Sequence, residues 1–271
     1  MHPIAEKYLR KSALPSIFCP GCGHGTVLNA FLRAIDEMQI IDNLSLVGGI
    51  GCSSWAPVFV NTDVMHTLHG RAIAVATGLK LANPKRQVVV FTGDGDCMGI
   101  GGNHFIHAAR RNIDLTVIML DNHIYGMTGG QVAPTTPMYA TTQTSPHGNP
   151  EQPINACEVA ISCGASYVGR WTTAHPKQTR KAIKQAINHK GFSFLHILSQ
   201  CPTQAGRYIY DTGKPEEMLQ QLKKKAITTQ KAAKLSKEEL GDRTVVGLLY
   251  ETTDRPELCE SVYALMQHGK G

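Results

Sequence analysis

The chain has 271 residues, 42% of them hydrophobic, and a formal charge of +6. That length allows one large α/β domain or two small ones, and no run approaches the roughly 18–20 apolar residues that a membrane helix needs. The N-terminus, MHPIAEKYLRKSALPS, carries no apolar signal segment, so a cytoplasmic protein without membrane contact is expected.

In chain order, LSLVGG from Leu44 reads as a strand and Gly70 to Lys80 as a helix. QVVVFTG from Gln87 is a strongly apolar strand, followed by a helix that includes Phe105 to Arg111. LTVIMLDN from Leu115 is the next apolar strand, and Ile154 to Cys163 is helical again. Ala165 to Arg170 reads as a strand, Pro176 opens a helix, and FSFLHILS from Phe192 is the last strong strand. Segments 126–153 and 200–214 read as loops, the first of them long enough to suggest a function. The alternation of helices with near-continuous apolar strands predicts an α/β fold: a parallel sheet covered by helices on both faces. Residues 1–214 are expected to form this domain and 215–271 a charged, helical C-terminal arm. The densest basic stretch, Lys223, Lys224, Lys225, Lys231 and Lys234, falls in that arm. It reads as a solvated helix face, and no nucleic-acid partner is expected.

Ligands of such sheets bind beyond the carboxyl ends of the strands, and the distinctive motifs fall there. The strand at Val88 ends in Gly93-Asp94-Gly95-Asp96, and the following strand ends in Asp121-Asn122. Asp94 and Asn122 lie 28 positions apart, room for one helix and one return strand. Both can offer oxygen to a hard cation such as magnesium, which completes its shell with phosphate and water. Gly93 and Gly95 permit a sharp turn close to a phosphate, and Gly101 and Gly102 precede a helix whose first amides favour anions. The pattern resembles the thiamine-diphosphate signature.

Eight cysteines in a chain read as intracellular argue for metal or redox chemistry over disulfides. Cys19 and Cys22 form a C-x-x-C before Gly23-His24-Gly25; Cys52 follows the first strand, and Cys201 follows the last. Together they would suit a [4Fe–4S] cluster, structural zinc or a dithiol pair, and spacing alone does not separate the three. A neighbouring thiamine cofactor favours the cluster, because decarboxylation leaves electrons that a one-electron acceptor can carry away and zinc cannot. Cys97, Cys157, Cys163 and Cys259 read as small buried hydrophobes, with a role near the cofactor kept open for Cys97.

CPGCGHG, GIGCSSW, HTLHGRAIAVATGLKLANP, GDGDCMGIGGNHFIHAARRNIDLTVIMLDNHIYGMTGGQVAPTT and SQCPT, in this order, resemble the beta subunits of 2-oxoacid:ferredoxin oxidoreductases over about residues 10 to 210. HAARRNID followed by DNHIYGMTGGQ looks most like the 2-oxoglutarate members. The resemblance implies the diphosphate-binding fold of thiamine enzymes, with thiamine diphosphate, Mg2+ and a [4Fe–4S] cluster. It implies Cys19, Cys22, Cys52 and Cys201 as cluster ligands, and Asp94, Asn122 and the backbone oxygen of Ile124 as magnesium ligands. It places Ile50, Gly51, Cys52, Ser53, Gly95, Asp96, Gly126 and Met127 beside the cofactor, with His24 and His69 lining the pocket. The implied reaction is CoA-dependent oxidative decarboxylation of a 2-oxoacid with reduction of ferredoxin, or the reverse carboxylation. The implied partner is an alpha subunit that supplies the activating glutamate, in a heterodimer or dimer of heterodimers with room for further subunits.

Trp55 departs from the pattern: some relatives carry a basic residue there that reads the substrate carboxylate. An apolar 2-oxoacid, including pyruvate or a branched-chain acid, or cations on the partner chain would fit this change. A non-redox thiamine decarboxylase or synthase subunit keeps the magnesium motif but leaves the cysteines without purpose. A zinc-stabilised binding module explains the cysteines but not Asp94 and Asn122.

Overall fold

A computed structural model describes residues 2–268. Its strands are β1 (Leu44–Gly48), β2 (Asp63–His66), β3 (Gln87–Gly93), β4 (Thr116–Asp121), β5 (Ile124–Tyr125), β6 (Gln131–Val132), β7 (Tyr167–Thr172), β8 (Ser193–Leu198), β9 (Ala226–Thr228) and β10 (Thr244–Glu251). Eight of them form one sheet in the order β2-β1-β3-β4-β8-β7-β10-β9. All neighbours in it are parallel except β7 and β10, which run antiparallel. β5 and β6 make a small separate hairpin in the long loop after β4.

Strand side chains alternate between two apolar layers, because successive residues point to opposite faces. Val47, Val90, Val117, Phe194 and Val168 pair in register across five strands. They pack against the helices Ala72–Ala82, Gly102–Arg111 and Ala156–Ser162. The opposite layer joins Leu46, Phe91, Ile118 and Leu195 to Phe31 and Ile35 of the helix Gly23–Met38 and Ile183 of Pro176–Asn188. Burial of both faces explains why these strands read as unbroken apolar runs.

The expected strands and helices of the parallel domain are all present. The helix Gly23–Met38 and the edge strand β2 add to them. The segment from residue 215 contains the helices Pro215–Lys225 and Leu258–His268 and contributes β9 and β10 to the edge of the same sheet. The five lysines of its basic stretch are exposed. Its end is pinned to the domain by Glu257, whose carboxylate accepts the backbone N–H groups of Asp114, Cys259 and Glu260 at 2.9–3.0 Å. The outer limits of the two expected segments, residue 1 and residues 269–271, lie outside the described residues.

Candidate active site

The C-terminal ends of β1, β3, β4 and β8 come together at one edge of the parallel sheet, and two cavities open there. The first is lined by His24, Ile50, Gly51, Cys52, Ser53, His69, Gly93, Asp94, Gly95, Asp96, Asn122, Ile124, Gly126 and Met127, with Leu120, Tyr125 and Thr128. Every residue expected beside the cofactor or the magnesium therefore faces one space. The second cavity, about 180 Å³, is lined by Cys19, Cys22, Cys52 and Cys201 together with Ile17, Phe18, Trp55, Gln204 and neighbours. Cys52, Asn122, Gly126 and Met127 line both.

Asp94 follows β3 directly and is buried. The Thr135 hydroxyl bridges it to Asp121 at the end of β4, lying 2.7 Å from one carboxylate and 2.8 Å from the other. Burial and the neighbouring Asp121 push Asp94 up to about 7. Burial also opposes charge on Asp121, but His123 and His196 outweigh it and hold that carboxyl well below the usual range. Two close carboxylates with one hydroxyl between them form a site that a cation would stabilise. Asn122 is buried, and its side-chain oxygen accepts the Ile124 amide at 3.3 Å. The buried Ser53 hydroxyl, by the backbone of Gly93, has no hydrogen-bond partner among the described residues. An unmet buried polar group costs about 1–3 kcal/mol, so Ser53 suits an anionic ligand that accepts its proton. At Gly95 a β-carbon would fall 2.2 Å from the Tyr125 ring, so only glycine lets the acidic loop lie under that ring. These features fit a metal-bound diphosphate.

Asp96 lines the same cavity, yet its carboxylate is engaged by the protein. It accepts from the Ile50 amide (3.2 Å), the Gly70 amide (2.7 Å), the Thr92 hydroxyl (2.7 Å) and His69 Nδ1 (2.6 Å). It thereby ties together the loops after β1, after β2 and after β3. His24 is fully enclosed, its Nδ1 2.9 Å from the Ser199 hydroxyl, and burial pushes it down to about 4, so it is neutral near pH 7.

Three hydrogen bonds bring the C-x-x-C loop to the end of β8. The Gly23 amide donates to the Gln200 carbonyl at 3.0 Å, the Gln200 side chain donates to the Gly21 carbonyl at 3.2 Å, and His24 meets Ser199. Cys52 arrives from the turn after β1. A β-carbon placed on Gly126 would stand 3.7 Å from Cys201 Sγ and 3.9 Å from Cys52 Sγ, so both thiols border that glycine. Burial, with the other three thiols adding to it, pushes Cys22 up to about 12. Burial and Cys201 and Cys19 push Cys52 up to about 11. Thiols so placed resist ionisation unless a cationic centre neutralises them, which fits a metal cluster. Among the described residues no group of three or more His, Cys, Asp or Glu side chains is gathered as a single-ion site. Cys97, Cys157 and Cys259 are buried in the apolar layer of Val47, Val90 and Phe194, and Cys163 packs against it. Trp55 is half-buried, borders the cysteine cavity and leans on the His66 ring at 5.9 Å.

Tyr125, Thr128, Phe18 and Thr135 were not singled out from the sequence. Tyr125 and Thr128 stand in the recognisable DNHIYGMTGGQ stretch, which was the available signal. Thr135 stands at the end of the same motif, in QVAPTT, but its link to Asp94, 41 positions away, is made only by the fold.

A parallel sheet that gathers a Gly-Asp-Gly turn and an Asn at adjacent strand ends defines a thiamine-diphosphate-binding domain. The chain matches the family described as thiamine pyrophosphate enzyme, C-terminal TPP binding domain, over residues 49–197. It is 52% identical to the 2-oxoglutarate synthase subunit KorB of Methanocaldococcus jannaschii, covering 98% of each chain. It is 39% identical to the 2-oxoacid:ferredoxin oxidoreductase 2, subunit beta, of Aeropyrum pernix, over 92% of this chain and 84% of that one. The 2-oxoglutarate:ferredoxin oxidoreductase from Magnetococcus marinus, solved with 2-oxoglutarate, coenzyme A and succinyl-CoA bound, superposes with a TM-score of 0.88 at 36% identity, covering 98% of this chain and 91% of that one. The chain belongs to the beta subunits of the 2-oxoacid:ferredoxin oxidoreductases, of the 2-oxoglutarate type. No helix among the described residues is long and apolar enough to cross a membrane.

Proposed function

We propose that the first cavity holds thiamine diphosphate with Mg2+ and the second a [4Fe–4S] cluster. With an alpha subunit, the chain then converts 2-oxoglutarate and coenzyme A to succinyl-CoA and CO2 in the cytoplasm, reducing ferredoxin, or runs the reverse carboxylation. The observation that carries this reading is the shared wall: Cys52, Asn122, Gly126 and Met127 border both cavities. A cofactor that releases electrons and a group that accepts them one at a time would be neighbours there.

Asp94 and Asn122, with the backbone oxygen of Ile124, hold the cation; magnesium binds through few protein oxygens and keeps phosphate and water. Gly95 leaves room for the diphosphate and Ser53 donates to it. Ile50, Gly51, Gly126 and Met127 flank the cofactor, and Asp96 fixes the loops and the His69 ring around it. His24 and His69 line the cavity beside it. Bound thiamine diphosphate supplies the carbon nucleophile and electron sink for decarboxylation. Cys19, Cys22, Cys52 and Cys201 hold the cluster. Among the described residues no glutamate lines the first cavity, which suits an activating carboxylate delivered by the partner chain. Trp55 offers no charge, so cations of the partner hold the distal carboxylate of 2-oxoglutarate.

The test is purification of the assembled enzyme, followed by metal analysis and assay against 2-oxoglutarate, pyruvate and branched-chain 2-oxoacids. Iron, sulfide, broad visible absorbance and a preference for 2-oxoglutarate are expected. Zinc without thiamine diphosphate would reject the cofactor assignment; a preference for pyruvate would reject the substrate. The chain without its partner is expected to show no turnover.

A further inference from the structure

Beneath the proposed cation site runs a largely buried chain of side chains that the strand-end motifs begin and the fold completes. It begins at Asp94, whose carboxylate has the Thr135 hydroxyl as its side-chain partner at 2.7 Å. Thr135 comes from the long loop after β6, and its hydroxyl also lies 2.8 Å from Asp121 Oδ1. Asp121 does not move freely. Its Oδ1 accepts the His123 amide at 2.9 Å, and its Oδ2 stands 2.7 Å from His196 Nε2 on β8. The other ring nitrogen of His196 faces Arg170 Nε on β7 at 3.1 Å. A guanidinium can only donate, so His196 Nδ1 accepts and Nε2 carries the hydrogen that goes to Asp121. Arg170 is fixed in turn by Asn155. The donors therefore run in one direction across β7, β8 and β4 and converge on Asp121.

We propose that Thr135 is the positioning residue of the cation site, and that Asp121, His196 and Arg170 are its anchor. The assignment rests on the reading of Asp94 as a metal ligand. An aspartate side chain just beyond a strand end can turn through several rotamers, and only some of them aim an oxygen at the space shared with Asn122. Thr135 selects one. Its one hydroxyl hydrogen is shared between Asp94 and Asp121, and Asp121 is the carboxylate that β4, β8 and β7 immobilise. Groups that orient a metal ligand in this way typically account for about 10–100-fold in affinity. The arrangement also explains the course of the loop of residues 126–153, which returns over the strand ends and delivers one hydroxyl between two carboxylates.

The test compares the parent enzyme with Thr135→Val, Thr135→Ser, His196→Asn and Asp94→Ala, each assembled with its partner subunit. Mn2+ replaces Mg2+ as the probe, and its free-ion electron paramagnetic resonance signal reports binding in the presence of thiamine diphosphate. Melting temperature of the metal-free enzyme is recorded alongside. Thr135→Val is expected to weaken Mn2+ binding about 10–100-fold with little change in that melting temperature. Thr135→Ser, which keeps the hydroxyl, is expected to stay within about threefold of the parent, and His196→Asn to fall between them. A Thr135→Val enzyme that binds Mn2+ as the parent does, while Asp94→Ala does not, overturns the role of Thr135 and leaves the cation site standing. An Asp94→Ala enzyme with parental Mn2+ affinity overturns the cation site and this inference with it. Failure of Thr135→Ser to restore binding also overturns the inference, since the hydroxyl would then not be the operative group.

Discussion

The C-terminal ends of β1, β3, β4 and β8 and the entry to β4 at the opposite end of the same sheet are held by opposite electrostatics. At the strand ends, burial pushes Asp94 up to about 7 and Cys22 up to about 12. The protein there keeps groups in place whose charged forms it disfavours. At the opposite end of the strands, just before β4, Glu257 is also buried, and burial opposes its charge, but three backbone amides hold its carboxyl below the usual glutamate range. One region is complete in itself, whereas the other has the electrostatics of a site for the cationic groups proposed above. Unfavourable ionisation at a built site marks where a ligand belongs.

The largest effect should come from removing a group that the ligand needs. Asp94→Ala is expected to abolish Mg2+-dependent binding of thiamine diphosphate, a loss beyond about 100-fold, while circular dichroism stays near parental. Calorimetric titration reads the first and the spectrum reads the second; unchanged affinity would break the comparison. Cys201→Ser should lose most of the iron of the assembled enzyme, by chemical analysis, with the diphosphate cavity still able to bind its cofactor. Loading with Mg2+ and thiamine diphosphate at about 100 times Kd should stabilise the enzyme by about 2.7 kcal/mol, and that gain should vanish in Asp94→Ala.

Glu257→Gln should cost about 1–2 kcal/mol of stability and leave cofactor affinity unchanged. Because the folded-state pKa of Glu257 is depressed, its contribution is present above the ordinary glutamate value of 4.5 and is lost as pH falls through the folded value. Thermal melts of parent and variant should therefore differ at pH 6 and converge in strong acid. A constant difference across that range would show that the carboxylate charge is not what pins this segment to Asp114. The smallest effect belongs to the exposed Lys224, where Ala should change stability by less than about 0.5 kcal/mol.

The parallel strands were legible because both faces are buried, which writes runs such as Val88–Phe91 and Val117–Leu120 into the sequence. The acidic turn was legible because Asp94 and Asp96 fall just beyond an apolar strand, and the four cysteines because of the C-x-x-C spacing and their place at strand ends. The helix Gly23–Met38 carries a plain 3.6-residue signal in Val27, Phe31, Ala34 and Ile35, which the cysteines just before it overshadowed. β10 was hidden for another reason. Its run TVVGLLY sits among charged segments, and its pairing with β7 is set by contact across the chain rather than by local pattern. The relay through Thr135, Asp121, His196 and Arg170 joins residues 14 to 75 positions apart, and only the fold brings them together. The close backbone packing at Gly95 and the unmatched Ser53 hydroxyl likewise appear only in three dimensions.

Anomalous diffraction at the iron edge, on crystals of the assembled enzyme grown with thiamine diphosphate and Mg2+, tests the paired-cavity account most directly. An iron signal enclosed by Cys19, Cys22, Cys52 and Cys201 is expected, with diphosphate density against Asp94 and Asn122 on the other side of Cys52 and Gly126. Zinc in place of iron among those thiols, or a diphosphate seated away from Asp94, would contradict it.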